Sequence, residues 1–234
     1  MDSIEDRHLA HPDVNIELFA NPRLVPGKVR GAVQFDGNSQ YAAFKDQSRS
    51  CLGNVDLCRH GILLAAWIKP GTLSNNMEFF STGANGIRAW YENGKLKVAV
   101  RTSTREWEIQ TSQFLPNEWQ FLEISWTPKY GISLYKNNRL IARSTKQNMR
   151  PRDPDDGYWS ELEIDKVGFY LGRGEGLNIN AKYANMTFDE MEYWYGNRDY
   201  LIAFDYLQRG RNSLVNELCV SWVSGLAILG IILR

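Results

Sequence analysis

The sequence predicts an all-β fold, a sandwich or barrel of antiparallel strands, ending in a hydrophobic and helical tail. Three observations carry this prediction. About a dozen short apolar or alternating stretches recur at short, regular spacing, separated by Gly, Asn, Asp and Pro. Aromatic residues make up 12% of the chain, with 8 Trp and 11 Tyr, a composition suited to pleated, half-buried surfaces. Residues 119–142, WQFLEISWTPKYGISLYKNNRLIA, read as three strands joined by two turns. There Leu122, Ile124 and Trp126 alternate with Phe121, Glu123 and Ser125, and the turns fall at Gly131 and Asn137-Asn138, residue types that tolerate left-handed backbone.

The remaining elements follow in order. Residues 1–26 read as a lead-in, because Pro12, Pro22 and Pro26 break long regular structure. VRGAVQFDGNSQYAAF predicts two short strands around a turn at Asp36-Gly37-Asn38. GILLAAWIKP is a continuous apolar run, the pattern of a strand buried on both faces. MEFFSTG is another strand, and IRAWYENGKLKVAVRT is a hairpin about Asn93-Gly94, the strongest short-range hairpin signal. TREWEIQTSQFL adds one strand before the 119–142 block. Residues 146–159, rich in Pro and Asp, predict a long exposed loop. LEIDKVGFYLGRG returns to strand, Gly172, Gly174 and Gly176 mark a turn, and AKYANMTFDEMEYWYGN is a long final strand.

Bulk properties narrow the function. The chain has 234 residues, with 27 basic and 27 acidic side chains and no net charge, so no basic stripe points to nucleic acid. Cys51 and Cys58 flank a short turn-forming loop, LGNVDL. Such a loop can bring two sulfurs together, and its closure would add roughly 2–3 kcal/mol. Spacing alone leaves a disulfide and two reduced thiols equally open. No second Cys or His pair follows at zinc-ligand spacing. The first residues have no apolar core and form no signal peptide; if the domain is extracellular, the expectation is that its true start lies upstream.

The tail differs from the rest. Residues 208–217 are polar and read as a juxtamembrane linker; residues 218–234, LCVSWVSGLAILGIILR, are almost wholly apolar. A spanning helix needs about 20 such residues, so this run predicts a truncated transmembrane helix. Its apolar residues form no one-sided stripe, which argues against a buried amphipathic helix. A removable lipid-anchor tail cleaved near Ser213 fits less well, because the polar spacer is too short. Arg209 and Arg211 would lie outside the membrane in this arrangement, against the positive-inside tendency.

The pattern W-x-x-x-x-G-I-x-L-Y-x-N-x-x-L-I-A within residues 119–142 resembles the laminin G-like, concanavalin A-like jelly roll. GAVQFDGNSQY, GILLAAWIKP with its central Trp67, VGFYLGRG and FDEMEYW with Asp189-Glu190 resemble further family segments and occur in family order. The resemblance covers residues 14–207, preceded by residues 1–13 as lead-in. It implies an antiparallel β-sandwich of jelly-roll type, and a disulfide between Cys51 and Cys58, as in extracellular relatives. It also implies an extracellular module that binds a glycan or a protein, joined to other modules or to a membrane anchor.

Candidate chemistry sits in a few places. Asp153, Asp155 and Asp156 in the acidic loop, with Tyr158 and Trp159 at its end, form a candidate ligand-binding set: a flat ring matches the apolar face of a pyranose. Trp90, Tyr91 and Trp107 share that choice between stacking and core filling. Asp155, Asp156, Asp189 and Glu190 are candidate calcium ligands, since calcium takes carboxylate oxygens and relatives bind it at a sandwich rim. Calcium is thus a possible cofactor, against the plainer reading of a solvated loop with Asp189-Glu190 in structural hydrogen bonds. Asn185-Met186-Thr187 is an N-glycosylation sequon.

Glu161, Glu163 and Asp165 alternate on one strand face, as in glycoside hydrolases of this architecture. The position that would complete that pattern is Gly168, and no catalytic residue is assigned. The expectation is therefore a non-catalytic recognition module at the cell surface, serving adhesion. A glycoside hydrolase-like enzyme and a structural spacer are the alternatives.

Overall fold

The computed structural model describes residues 16–29, 31–44, 47, 50–82, 86–144, 150–151, 168–174 and 182–199. Among the described residues, fifteen strands build two antiparallel sheets. They are β1 (Ile16–Phe19), β2 (Arg23–Pro26), β3 (Gly31–Asp36), β4 (Tyr41–Phe44), β5 (Ile62–Pro70), β6 (Met77–Thr82), β7 (Ile87–Glu92) and β8 (Lys95–Arg101). Then come β9 (Arg105–Thr111), β10 (Gln120–Thr127), β11 (Gly131–Lys136), β12 (Arg139–Ser144), β13 (Arg150–Pro151), β14 (Phe169–Leu171) and β15 (Asn185–Tyr195). One sheet has eight strands in the order β1-β4-β14-β6-β7-β8-β9-β13; the other has seven, β12-β11-β10-β5-β15-β3-β2. The all-β sandwich expected from the sequence is present.

The apolar run GILLAAWIKP is β5, at the middle of the seven-stranded sheet between β10 and β15. That position explains why alternation is missing there: both faces are covered. In β10, Leu122, Ile124 and Trp126 point into the core. On the other face, Arg198 donates its backbone N–H to Ser125 Oγ at 3.0 Å and its Nε to Glu123 Oε1 at 3.0 Å. The two faces read in the sequence are thus an apolar interior and a polar face held by the chain after β15. Between the sheets, Trp107 of β9 meets Trp126 of β10 edge-on, ring centroids 5.4 Å apart. The Asn93-Gly94 hairpin has positive φ at both residues, 51° and 76°, as its tight turn requires.

Two expectations need correction. The lead-in is not irregular throughout, because β1 and β2 lie within residues 16–26 and each forms a sheet edge. Pro26 closes β2 on that edge, where a missing N–H breaks no interior ladder. Likewise Arg150–Pro151, inside the expected long loop, pairs with β9.

The final strand carries a bulge: Asp189 pairs with Trp67 but Glu192 with Ala65, and Glu190 has φ of 44°. Phe188 and Met191 both enter the core although three positions separate them. A period of two cannot do this without an extra residue, and the bulge supplies it.

Cys51 and Cys58 form a disulfide, Cα atoms 5.4 Å apart, around a single turn of 3-10 helix at Val55–Leu57. Cys58 and Val55 are buried, so the bridge fastens this loop to the core. Among the described residues no helix is long and apolar enough to cross a membrane. Residues 208–234, with the tail expected to span one, lie outside the described residues.

Candidate functional site

Several connections cross from one sheet to the other, and three of them meet at one rim. They are the β3–β4 turn (36–40), the β5–β6 loop (71–76) and the segment entering β15 (182–185). Between them lies a pocket of about 360 Å³ lined by Asp36, Gly37, Asn38, Thr72, Ser74, Met77, Lys182, Tyr183 and Asn185. Its volume is at the lower end of small-ligand sites, which run from about 300 to 1,000 Å³.

Backbone bonds make the walls firm. Lys182 N–H donates to the Asn76 carbonyl at 2.8 Å, and the Lys182 carbonyl accepts from Glu78 N–H at 2.9 Å. Ala184 N–H donates to the Gly172 carbonyl, and Gly71 N–H to the Asn185 carbonyl, each at 2.8 Å. The β3–β4 turn is tied by Asn38 N–H to Asp36 Oδ1 at 2.9 Å and by Asp36 N–H to Gln40 Oε1 at 3.0 Å. Gln40 in turn donates to the Asn21 carbonyl at 3.2 Å. The Asn38 amide holds the Asp36 carboxyl below its ordinary value, so the pocket keeps an ionised acceptor.

An aromatic patch adjoins the pocket. Tyr183 lies 6.1 Å from Tyr41, which stacks on Phe19 at 4.3 Å with ring planes 4° apart and sits 6.4 Å from Tyr170. The Arg173 guanidinium lies over Tyr41 at 4.7 Å and over Tyr170 at 4.9 Å. All five side chains are half-buried. Together, patch and pocket bring aromatic rings beside hydroxyls, amides, one carboxylate, one ammonium and the Arg173 guanidinium. That is chemistry for holding a polyhydroxylated ligand with an apolar face.

Of the residues expected from the sequence that the structure describes, Asn185 alone lines the pocket. This asparagine of the sequon opens β15. Asp189 is buried, and its Oδ2 accepts backbone N–H groups of Lys28 and Val29 at 2.6 and 2.8 Å. Asp189 thereby ties β15 to the segment between β2 and β3, and Glu190 sits at the bulge. Among the described residues no group of three His, Cys, Asp or Glu side chains is placed to hold a metal. Asp153, Asp155, Asp156, Tyr158, Trp159, Glu161, Glu163 and Asp165 lie outside the described residues. Trp107 and Trp90 are buried, so neither offers a stacking surface: Trp107 packs in the core, and Trp90 lies between Arg88 and Lys97. Tyr91 packs against the core.

The pocket itself was not anticipated. Asp36, Gly37 and Asn38 read only as a turn, and Thr72, Ser74, Lys182 and Tyr183 belong to no local motif. Their shared location follows from three crossovers meeting in space.

Comparison with known proteins agrees with this architecture. The laminin G profile of the concanavalin A-like lectin/glucanases superfamily matches residues 36–194, more than half of the chain. The chain belongs to this superfamily. No curated protein matches the laminin G-like chain. Among solved structures it is similar to domain 4 of AbnA, a GH43 extracellular arabinanase from Geobacillus stearothermophilus, in complex with arabinotriose. That match has 16% identity and a TM-score of 0.54, covering 78% of this chain and 82% of that one. It is similar to the binding domain of botulinum neurotoxin DC in complex with rat synaptotagmin II, at 13% identity and a TM-score of 0.55, covering 83% of this chain and 47% of that one. It is also similar to Trypanosoma rangeli sialidase in complex with 2,3-difluorosialic acid, at 14% identity and a TM-score of 0.53, covering 79% of this chain and 27% of that one. The laminin G-like chain spans about half the length of the botulinum neurotoxin binding domains it matches. At these identities the likeness concerns the fold.

Proposed function

We propose that this laminin G-like domain is a non-catalytic recognition module, displayed outside the cell, that binds a glycan through the rim pocket and its aromatic patch. The observation that carries this reading is the pocket lined by Asp36, Asn38, Thr72, Ser74, Lys182 and Asn185 beside half-buried tyrosines. Pyranose rings offer hydroxyls at their edges and C–H groups on their faces, and this lining answers both. The Cys51–Cys58 disulfide is consistent with an oxidising compartment. Relatives of the same fold bound to arabinotriose and to synaptotagmin II lend support to a glycan or a protein as ligand class. Cell-surface adhesion is the role such a module would serve.

The test is a glycan-array screen of the full chain made in a eukaryotic secretory host, with calcium and with chelator. Tyr41→Ala and Ser74→Trp are run beside it. Binding to a defined glycan class that both variants abolish, while thermal unfolding stays cooperative, is the expected result. Binding that survives a bulky residue at Ser74 would overturn the pocket as the site. Silence of the unaltered chain in both conditions would move the reading to a protein ligand.

A further inference from the structure

We propose that the rim pocket selects a neutral sugar through two adjacent hydroxyls and disfavours acidic sugars, whether sialylated, uronic or sulfated; this rests on the glycan reading above. The pocket lining holds one carboxylate, Asp36, and one ammonium, Lys182, so its formal charges cancel. The other polar side chains there, Asn38, Thr72, Ser74 and Asn185, are neutral. Amides and hydroxyls supply both donors and acceptors, the counterpart of a hydroxyl that does the same.

Asp36 decides the preference. An ionised carboxylate is acceptor-only and has about four lone-pair sites. Its own turn uses part of this capacity: the Asn38 N–H lies 2.9 Å from Oδ1, and the Asn38 side chain and the Ser39 and Asp36 N–H groups also act on the carboxylate. Asp36 is nonetheless exposed and open to the protons of a vicinal diol, and such charge-assisted bonds are roughly twice as strong as neutral ones. A sugar carboxylate or sulfate has no proton to give and meets like charge at Asp36, a repulsive element of the kind that sets specificity. The Arg173 guanidinium belongs to the aromatic patch, where it lies over Tyr41 and Tyr170 and its Nε donates to the Gly174 carbonyl at 3.0 Å; it is not among the lining residues.

The experiment titrates the full chain with free methyl glycosides of neutral hexoses and pentoses. The matching uronic acids, sialosides and sulfated sugars are titrated in parallel, at low and at high salt. Neutral glycosides are expected to bind with little salt dependence. Asp36→Asn, nearly isosteric, is expected to weaken them about tenfold or more, the scale of a lost charged hydrogen bond, and to raise tolerance of acidic sugars. Unchanged affinity in Asp36→Asn overturns the assignment. So does binding confined to acidic glycosides and weakened by salt, although the glycan reading then stands. Binding of no glycoside removes the glycan reading itself. If Asp36→Asn loses its cooperative thermal transition, monodeoxy methyl glycosides titrated into the unaltered chain decide instead: removal of either of two adjacent hydroxyls is expected to weaken binding about tenfold or more, and equal affinity for every deoxy sugar overturns the assignment.

Discussion

Asp189 and Gly27 occupy one space. The Asp189 carboxylate reaches across to β2's exit, where its Oδ2 accepts the N–H groups of Lys28 and Val29. A Cβ on Gly27 would overlap that oxygen and stand 2.8 Å from Asp189 Cγ. The closing strand and the opening segment, 160 residues apart, are thus joined by a carboxylate that fits only beside a glycine. Hydrogen bonds to a charged group contribute about 1.5–3 kcal/mol, so Asp189→Ala should cost at least about 3 kcal/mol in denaturant unfolding. Gly27→Ala should cost nearly as much without removing any polar atom. Wild-type stability in Gly27→Ala would show that the loop can relax away.

The disulfide makes a separate contribution. Cys51 and Cys58 are seven positions apart, and the chain-entropy model gives roughly 2–3 kcal/mol for so short a loop. For a domain of this size that corresponds to a fall of roughly 5–10 °C in Tm on reduction or in Cys51→Ala/Cys58→Ala. Thermal scans with and without reductant measure it, and the double variant should not respond to reductant.

Glu78 and Arg88 form a bidentate ion pair that is almost wholly buried, with Arg88 Nε 3.0 Å from Glu78 Oε2. Burial pushes the Glu78 carboxyl up while the Arg88 guanidinium pulls it back. Removing one partner strands a buried charge, so Arg88→Leu should cost about 3–5 kcal/mol. Glu78→Leu/Arg88→Leu should cost less than Arg88→Leu alone. Additive losses in the double-mutant cycle would mean the two side chains act independently.

Asn185 is both a sequon asparagine and a pocket wall. A glycan attached there would stand where the ligand is proposed to sit. Chains recovered from a ligand resin should therefore be unmodified at Asn185 by peptide mass spectrometry. Modified Asn185 in the bound fraction would place the ligand elsewhere.

The Asp36 carboxyl lies below its ordinary value because the Asn38 amide favours its charged form. A group whose native pKa is depressed contributes above its unfolded value, and the contribution disappears as pH falls through the native one. Affinity for a neutral methyl glycoside should therefore stay level from pH 7 down to about 4 and decline only below that. A decline beginning near pH 6 would implicate a group other than Asp36.

What the sequence determined by itself is what period and turn chemistry encode. Alternation in residues 120–127, the unbroken apolar run of β5 and the Asn93-Gly94 turn are local signals, and each element formed where they stand. Other features exist only through packing. β1 and β2 are four residues each, and their edges become visible only when β4 and β3 pair with them. The odd spacing of Phe188 and Met191 becomes a bulge because both must reach the same core. The pocket needed three sheet crossovers to converge, bringing Asp36 within reach of residues about 40 and 150 positions away. Side-chain period reports which face a strand buries; it carries no information on which distant loops share a rim, because that is set by how two twisted sheets stack.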